Sequence, residues 1–153
     1  MQQRLNMMKA GADAYKALAQ FQAYVDRSGL DRSLLDLVLI RTSQINGCAF
    51  CLVMHTNDAR TRGESDERMH LLNAWREAPV FTERERAALG LVDAVTRIAE
   101  THVPDEVYDA ARKQFSEKEL VDLTAAIVAI NAWNRLSITF RAQPQLKTAK
   151  IAA

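Results

Sequence analysis

Two cysteines and a histidine lie within one short segment, NGCAFCLVMHTNDAR, which spans residues 46–60. Cys48 and Cys51 are three positions apart, and His55 follows Cys51 by four. If a helix begins near Cys48, its unpaired amides and its dipole favour the thiolate, which is the reactive form of cysteine. Residues four apart share a helical face, so His55 is expected beside Cys51. The spacing therefore indicates a redox dithiol with a neighbouring base.

Metal binding is the main alternative chemistry for the same residues. Cys48, Cys51 and His55 could supply three ligands to zinc, but a closed structural site needs a fourth, and the sequence has no second cysteine pair and no HxxxH motif. Attached haem requires a histidine directly after the second cysteine, where this chain has Leu52. A thioredoxin-like context would require a preceding strand, and no alternating strand pattern is present. Inert buried thiols remain a further alternative.

Asp36 is the next residue that could take part, because it interrupts the apolar run from Leu34 to Ile40. On a helix it shares a face with Ser43 and Gly47, which points toward the start of the cysteine segment. A carboxylate near an imidazole could orient it and raise its basicity. The alternative is an Asp36 that faces solvent on an amphipathic helix. His70 and His102 lack any companion motif and are expected on the surface.

The elements that must position these residues are all predicted to be helices, since Ala, Leu, Glu and Arg are plentiful and only five glycines and three prolines occur. The first expected helix covers residues 6–26, the second starts within Asp31–Ser33 and ends at the Asn46-Gly47 pair, and the third runs from near Cys48 to about Arg62-Gly63. A shorter helix covers Ser65 to Ala78. Two later helices start near residues 83 and 117, and a short helix between them has Pro104 at its first position. The apolar stripe of the first helix, which includes Met7 and Met8, is expected in the core or at an oligomer interface. The tail after Gln143 has no pattern and is expected to fray or to contact a partner.

Two of these starts carry capping boxes, in which a hydroxyl and a carboxylate satisfy each other's free backbone donors. They are Thr82 with Glu85, and Ser116 with Glu119. The run LLDLVLI is less decisive, because its composition would also suit a buried strand.

Composition limits the function classes. The chain has 153 residues and a formal charge of +1, without a basic block, so nucleic acid is not an expected partner. No apolar stretch approaches the ~18 residues of a membrane span, and no signal-peptide core is present. Only two cysteines occur, which does not match a secreted disulfide scaffold. We therefore expect one cytoplasmic domain over residues 1–153.

The residues from Asp36 through SQINGCAFCLVMHTNDAR to Gly63 resemble the alkylhydroperoxidase D (AhpD-like) core of the carboxymuconolactone decarboxylase family. Three later segments are also typical of AhpD-like members: NAWREAPVFTERERAAL, VPDEVYDAARKQFSEKELVDLT and INAWNRLSITFR. The resemblance covers a core of about residues 31–142. It implies an all-α helical bundle that assembles as a trimer or hexamer.

The resemblance also implies a function, a thiol-dependent peroxidase that reduces hydrogen peroxide or organic hydroperoxides. By carry-over, Cys51 attacks the peroxide, Cys48 resolves the product as a disulfide, and Asp36 and His55 form a proton relay. No metal, haem or flavin is implied. The implied reductant is an external dithiol on a lipoyl-bearing or thioredoxin-like protein.

This chain departs from the peroxidase pattern at two positions. Asp36 stands where the usual residue is Glu, and Phe50 stands where better-known members carry a second histidine. Two other functions therefore stay open, a disulfide oxidoreductase or redox sensor that uses the same pair, and a non-enzymatic oligomeric binding protein. Trp75 and Trp133 are interpreted as core or interface anchors, and Asn131 and Arg135 as hydrogen-bonding groups toward a neighbouring helix or subunit.

Overall fold

In a computed structural model, which describes residues 2–146, the chain is helical and the described part contains no strand. The helices are α1 Met7–Ala10, α2 Ala12–Asp26, α3 Arg32–Asn46, α4 Ala49–Thr61, α5 Asp66–Leu71, α6 Glu83–Thr96, α7 Ile98–Thr101, α8 Asp105–Gln114 and α9 Glu117–Phe140. The all-α prediction is confirmed.

Local sequence signals set most of the helix ends. Asp31 caps α3 by accepting a hydrogen bond from the Leu34 amide at 2.9 Å. Gly47 ends that helix with φ of +68°, a left-handed conformation that costs glycine little. Both predicted capping boxes are formed, at Thr82 before α6 and at Ser116 before α9. These ends were predicted because the groups involved lie within four residues of one another.

Three predicted boundaries were wrong. The helix expected over residues 6–26 is divided at Gly11, whose backbone leaves the helical region at φ −135° and ψ 54°. The helix expected from Ser65 to Ala78 stops at Leu71 and continues only as a 3-10 turn, Leu72–Ala74. Pro104 is the N-cap of α8 and not its first helical residue, and the short helix α7 was not predicted at all.

Helix α3 lies at the centre of the fold and contacts α4, α6 and α9. Every residue from Leu34 to Ser43 is buried. A helix covered on all sides needs apolar residues all round, which is why LLDLVLI shows no clean helical period. One face of α3 joins a cluster around Val38, Leu123 and Ile127 with α6 and α9.

The cysteines belong to a separate small cluster on another face of α3. Leu39 and Ile130 pack there against Cys48 and Cys51, with Trp133 partly buried beside them. The start of α4 is therefore held between α3 and α9. Within residues 2–146, no helix is both long and apolar enough to cross a bilayer. The part of the tail from residue 147 onward, for which fraying or partner contact was predicted, lies outside the described residues.

Candidate active site

Cys48 and Cys51 are joined by a disulfide at the start of α4, with their Cα atoms 5.4 Å apart. Cys48 is the N-cap residue, and its Sγ accepts a hydrogen bond from the Cys51 amide at 3.3 Å. Its own amide donates to the Ser43 carbonyl at 3.0 Å, across the turn that Gly47 makes. Both cysteines are 1% exposed. Two intervening residues in the first helical turn therefore suffice to bring the sulfurs together.

His55 lies one turn after Cys51, and both residues line one cavity of about 350 Å³. Trp133 from α9 and Tyr15 from α2 form part of its wall, with their rings in edge-to-face contact at 5.1 Å between centroids. Met7 and Met8 also line it. The N-terminal helices thus cover the Cys51 side of the disulfide. The sequence prediction placed their apolar side chains in the core or at an oligomer interface and did not place them at the cysteines.

The His55 imidazole is held neutral by its surroundings. Burial lowers its pKa from 6.5 to about 4, and nearby Arg32 and Arg62 act in the same direction. The carboxylates of Asp58 and Asp36 partly oppose this effect. The buried Nε2 atom has no hydrogen-bond partner among the described residues. At neutral pH His55 is therefore an uncharged imidazole with an unused nitrogen, which can accept a proton.

Asp36 is buried, at 1% exposure, so the solvent-facing alternative is wrong. Its partner is Arg62, at the C-cap of α4. The Arg62 Nε donates to Oδ2 at 2.7 Å and Nη2 donates to Oδ1 at 2.5 Å. Arg32 lies further away, with its Nε 3.8 Å from Oδ1. The carboxylate reaches His55 through its charge and makes no hydrogen bond to it.

Arg62 was missed by sequence reasoning. The Arg62-Gly63 pair was interpreted only as a helix end, and that interpretation is correct as far as it goes, since α4 ends at Thr61. A buried carboxylate in an apolar run requires a cation or several donors nearby. That requirement could have prompted a search for an arginine, but no spacing rule selects Arg62 from the others.

Asparagines on α9 fix the junction between α3 and α4. Asn46 donates from Nδ2 to Oδ1 of Asn131 at 3.0 Å and of Asn134 at 2.9 Å. Asn134 in turn donates to Ser43 Oγ at 3.2 Å. Asn131 therefore bonds to a neighbouring helix, as predicted, whereas Arg135 donates within its own helix to Asn131.

The remaining candidates occupy ordinary positions. Trp75 is 8% exposed in the core, and its indole N–H donates to Asp93 at 3.3 Å. His70 and His102 are exposed, as predicted. No group of three or more His, Cys, Asp or Glu side chains in residues 2–146 is arranged to hold a metal ion.

Comparison with known proteins identifies the family. The model of the carboxymuconolactone decarboxylase family matches residues 12–94, which is more than half of the chain. This chain belongs to that family. Its AhpD-like character is supported by a crystal structure from Agrobacterium tumefaciens that is 46% identical, with a TM-score of 0.93 over 95% of this chain and all of that one. That protein is described as of unknown function and, provisionally, as the antioxidant defence protein AhpD.

Two further relatives are both described as uncharacterized. The uncharacterized protein YdfG of Bacillus subtilis is 41% identical over 138 residues, covering 90% of this chain and 94% of YdfG. The crystal structure of an uncharacterized peroxidase-related protein from Silicibacter sp. TM1040 has a TM-score of 0.79 at 21% identity, over 93% of this chain and 77% of that one. At that identity the likeness concerns the fold alone.

The two departures noted in the sequence lie at opposite ends of α4, with Phe50 beside the disulfide and Asp36 beside the C-cap residue Arg62. Asp36 is engaged by Arg62, and Phe50 is partly buried against the cysteine cluster. Phe50 places an aromatic ring, which cannot transfer a proton, next to the sulfurs. His55 is the imidazole that lines the same cavity as Cys51, and the carboxylates Asp26 and Asp58 line that cavity as well.

Proposed function

We propose that the protein is a thiol-dependent peroxidase that reduces hydrogen peroxide or organic hydroperoxides through a dithiol-disulfide cycle of Cys48 and Cys51. The observation that carries the proposal is the cavity that Cys51 shares with the neutral imidazole of His55. An uncharged imidazole can take the thiol proton as the sulfur attacks, which is the general-base role that nucleophilic attack by a thiol requires. The largely apolar wall formed with Trp133 suits an organic hydroperoxide.

The proposed cycle has three steps. His55 takes the proton of the Cys51 thiol, and the thiolate attacks the outer peroxide oxygen, so that the O–O bond breaks and Cys51 becomes a sulfenic acid. The released alkoxide takes the proton from His55 and leaves as an alcohol. The Cys48 thiol then attacks the Cys51 sulfur, forming the disulfide and releasing water. An external dithiol restores both thiols and leaves as its own disulfide.

Asp36 has an indirect part in this proposal. Its charge raises the pKa of His55 against the stronger lowering by burial. Arg62 binds both carboxylate oxygens and offsets much of that charge. Asp36 therefore supports the basicity of His55 electrostatically, without accepting a hydrogen bond from it.

The test is peroxide consumption under excess dithiol, with hydrogen peroxide compared with cumene hydroperoxide. We expect Cys51→Ser to abolish turnover, and Cys48→Ser, its matched control, to consume at most one equivalent. His55→Gln should slow the peroxide step by about 10²–10⁴-fold, the range for loss of a general base, and Asp36→Asn should slow it less. Rapid turnover by Cys51→Ser, or consumption by the wild type no faster than the dithiol blank, would rule the proposal out.

A second candidate function is disulfide exchange with another dithiol, without peroxide as substrate. The Asp36–Arg62 pair and Phe50 favour it, because both withhold from the cysteines the acid-base groups that the peroxidase pattern supplies. Reduction of insulin and exchange with dihydrolipoamide would measure this activity. Rates no higher than those of a free thiol at the same pH would eliminate it.

Assembly into a homo-oligomer, a trimer or hexamer, is part of the same proposal. Val121 and Val128, seven residues apart on α9, support it, because their side chains are 64% and 46% exposed and lie on one face of the helix that an assembly would cover. Sedimentation equilibrium of the wild type and of Val121→Glu would test it. A wild type that is monomeric at micromolar concentration would contradict it.

A further inference from the structure

The two cysteines open onto different cavities. Cys51 lines the cavity of about 350 Å³ that contains His55, whereas Cys48 lines a second cavity of about 610 Å³. Neither cysteine lines the other's cavity, and Phe50 and Ser137 line both and thus stand between them. Each cysteine of the disulfide therefore borders its own cavity.

The two cavities differ in charge. The Cys48 cavity is lined by two arginines, Arg4 and Arg141, and by no carboxylate side chain among the described residues. It also faces Gly47, Cys48 and Ala49 at the N-terminus of the 13-residue helix α4, where the helix dipole favours an anion. The Cys51 cavity is lined by two aspartates, Asp26 and Asp58, together with Arg32. A negatively charged molecule is therefore favoured on the Cys48 side.

The arginines are held at this cavity by the end of α9. The Arg4 backbone amide donates to the Phe140 carbonyl at 3.0 Å, and its Nη1 donates to the Thr139 carbonyl at 2.9 Å. Arg141 ends α9 with φ of +54°, which turns the chain alongside the cavity. Cations at a helix C-terminus also stabilise the helix itself, so the experiment must separate that effect from binding.

We propose that the Cys48 cavity binds the reducing substrate, a thiol donor that carries a negative charge, while peroxide reaches the disulfide site only from the Cys51 side. This inference rests on the dithiol-disulfide cycle proposed above. Beyond that cycle, the donor is assigned a sulfur to attack, a cavity to enter and a negative charge.

The reducing step follows from this geometry. A donor thiolate attacks Cys48 Sγ, the S–S bond breaks, and its electron pair goes to Cys51 Sγ, which becomes a thiolate next to His55. The donor is then held on Cys48 as a mixed disulfide. The second donor thiolate attacks the donor's own sulfur in that bond, and Cys48 leaves as a thiolate that takes a proton from water. The donor loses two electrons, and the protein disulfide gains them. Attack on Cys48 thus releases the cysteine that peroxide requires.

The first test identifies the attacked sulfur in the wild type. The oxidised protein is mixed with mercaptoethanesulfonate, an anionic monothiol, quenched with an alkylating agent, and mapped by tandem mass spectrometry. We expect the mixed disulfide on Cys48 and the alkyl group on Cys51. The reverse distribution, or an even one at the earliest times, would overturn the proposal.

The second test measures the charge preference, using two probes that differ by one carboxylate, dihydrolipoate and the neutral dihydrolipoamide. Their rates of reducing the protein disulfide are each divided by their rates with a small neutral disulfide, which removes intrinsic differences in thiol reactivity. We expect dihydrolipoate to be favoured about three- to tenfold, the effect of charges several ångströms apart near a protein surface. In about 1 M salt, where the screening length is ~3 Å, the preference should disappear. Equal normalised rates in low salt would overturn the proposal.

Variants assign the preference to the cavity. Arg141→Gln should lower it about threefold, whereas Arg112→Gln, which removes the same charge from an exposed position on α8, should leave it unchanged. Equal effects of the two variants would mean that net charge alone is responsible, and would overturn the proposal. No peroxide is present in these experiments, so their outcome is independent of peroxidase activity. Peroxide turnover without a charge preference rejects only the cavity assignment, and a preference without peroxide turnover rejects only the peroxidase.

Discussion

Acid should destabilise the oxidised protein through His55, well above the pH at which ordinary carboxylates titrate. Burial lowers the pKa of this imidazole from 6.5 to about 4 in the folded state. In the unfolded chain His55 binds a proton below pH 6.5, while in the folded protein it does not until about pH 4. The free energy of unfolding therefore falls as the pH is lowered through this window. Above pH 6.5 His55 is unprotonated in both the folded and the unfolded state, so the free energy of unfolding no longer depends on pH through this group.

The magnitude follows from the separation of the two pKa values. At 1.36 kcal/mol per pH unit, the loss reaches about 2 kcal/mol at pH 5 and about 3 kcal/mol at pH 4. For a domain with a total stability of 5–15 kcal/mol, this is a substantial fraction. Below pH 4 both states bind the proton, and no further loss comes from this group.

The assay is urea unfolding of the wild type and of His55→Gln between pH 7.5 and pH 4, at one protein concentration and without reductant. Other titrating groups contribute equally to both proteins, so the difference between the two curves isolates His55. We expect the wild type to lose about 3 kcal/mol more than the variant over this range. His70→Gln, at an exposed position on α5, serves as the matched control and should follow the wild type.

Two results would refute this reasoning. Parallel stability curves for the wild type and His55→Gln would show that the imidazole titrates alike in the folded and unfolded states. An NMR titration of the His55 ring with a midpoint above pH 6 would contradict the burial argument directly. Either result would show that burial does not lower the pKa of His55 in the folded protein.

Three further perturbations test the contacts that hold the site. Arg62→Gln removes the bidentate partner of buried Asp36 and should cost about 2 kcal/mol in urea unfolding. This is less than the 3–5 kcal/mol typical of a broken buried pair, because Arg32 remains nearby. Arg60→Gln, which breaks exposed contacts with Asp66 and Asn57, should cost less than about 1 kcal/mol. Equal losses for these two variants would argue against a buried pair at Asp36. Asp93→Asn should cost about 3–5 kcal/mol, because it removes the carboxylate that lies 2.8 Å from Arg41, whose side chain is only 7% exposed. The cost is measured from the urea midpoint at constant slope, and a loss under about 1 kcal/mol would contradict this. Gly47→Ala places a side chain on a residue in the left-handed region, at φ +68°, and should cost about 1–2 kcal/mol in thermal unfolding. Gly47→Asn should cost less, because Asn tolerates this conformation better than Ala does. The opposite order would show that the left-handed backbone does not cause the loss of stability.

The helix ends and the disulfide pairing were predictable because the interactions that fix them are local. Asp31 needs only the amide three residues ahead to cap α3, and Ser116 needs only Glu119. Cys48 and Cys51 are brought together by one turn of backbone, whatever packs around them. The two helices that were predicted too long end where the backbone leaves α-helical geometry, at Gly11 and after Leu71.

The carboxylate's partner and the cavities were decided by tertiary packing. Arg62 reaches Asp36 across 26 residues, and only the antiparallel approach of α3 and α4 makes it the nearest cation. Tyr15 and Trp133, from opposite ends of the chain, meet over Cys51 because α2 packs on α9. Which sulfur faces which cavity likewise depends on where α9 ends. The sequence alone therefore determined the reactive residues and their spacing along one helix, where each interaction spans a few residues. The tertiary structure determined their charges, their access and their partners, because those depend on groups that only the packing of distant helices brings within a few ångströms.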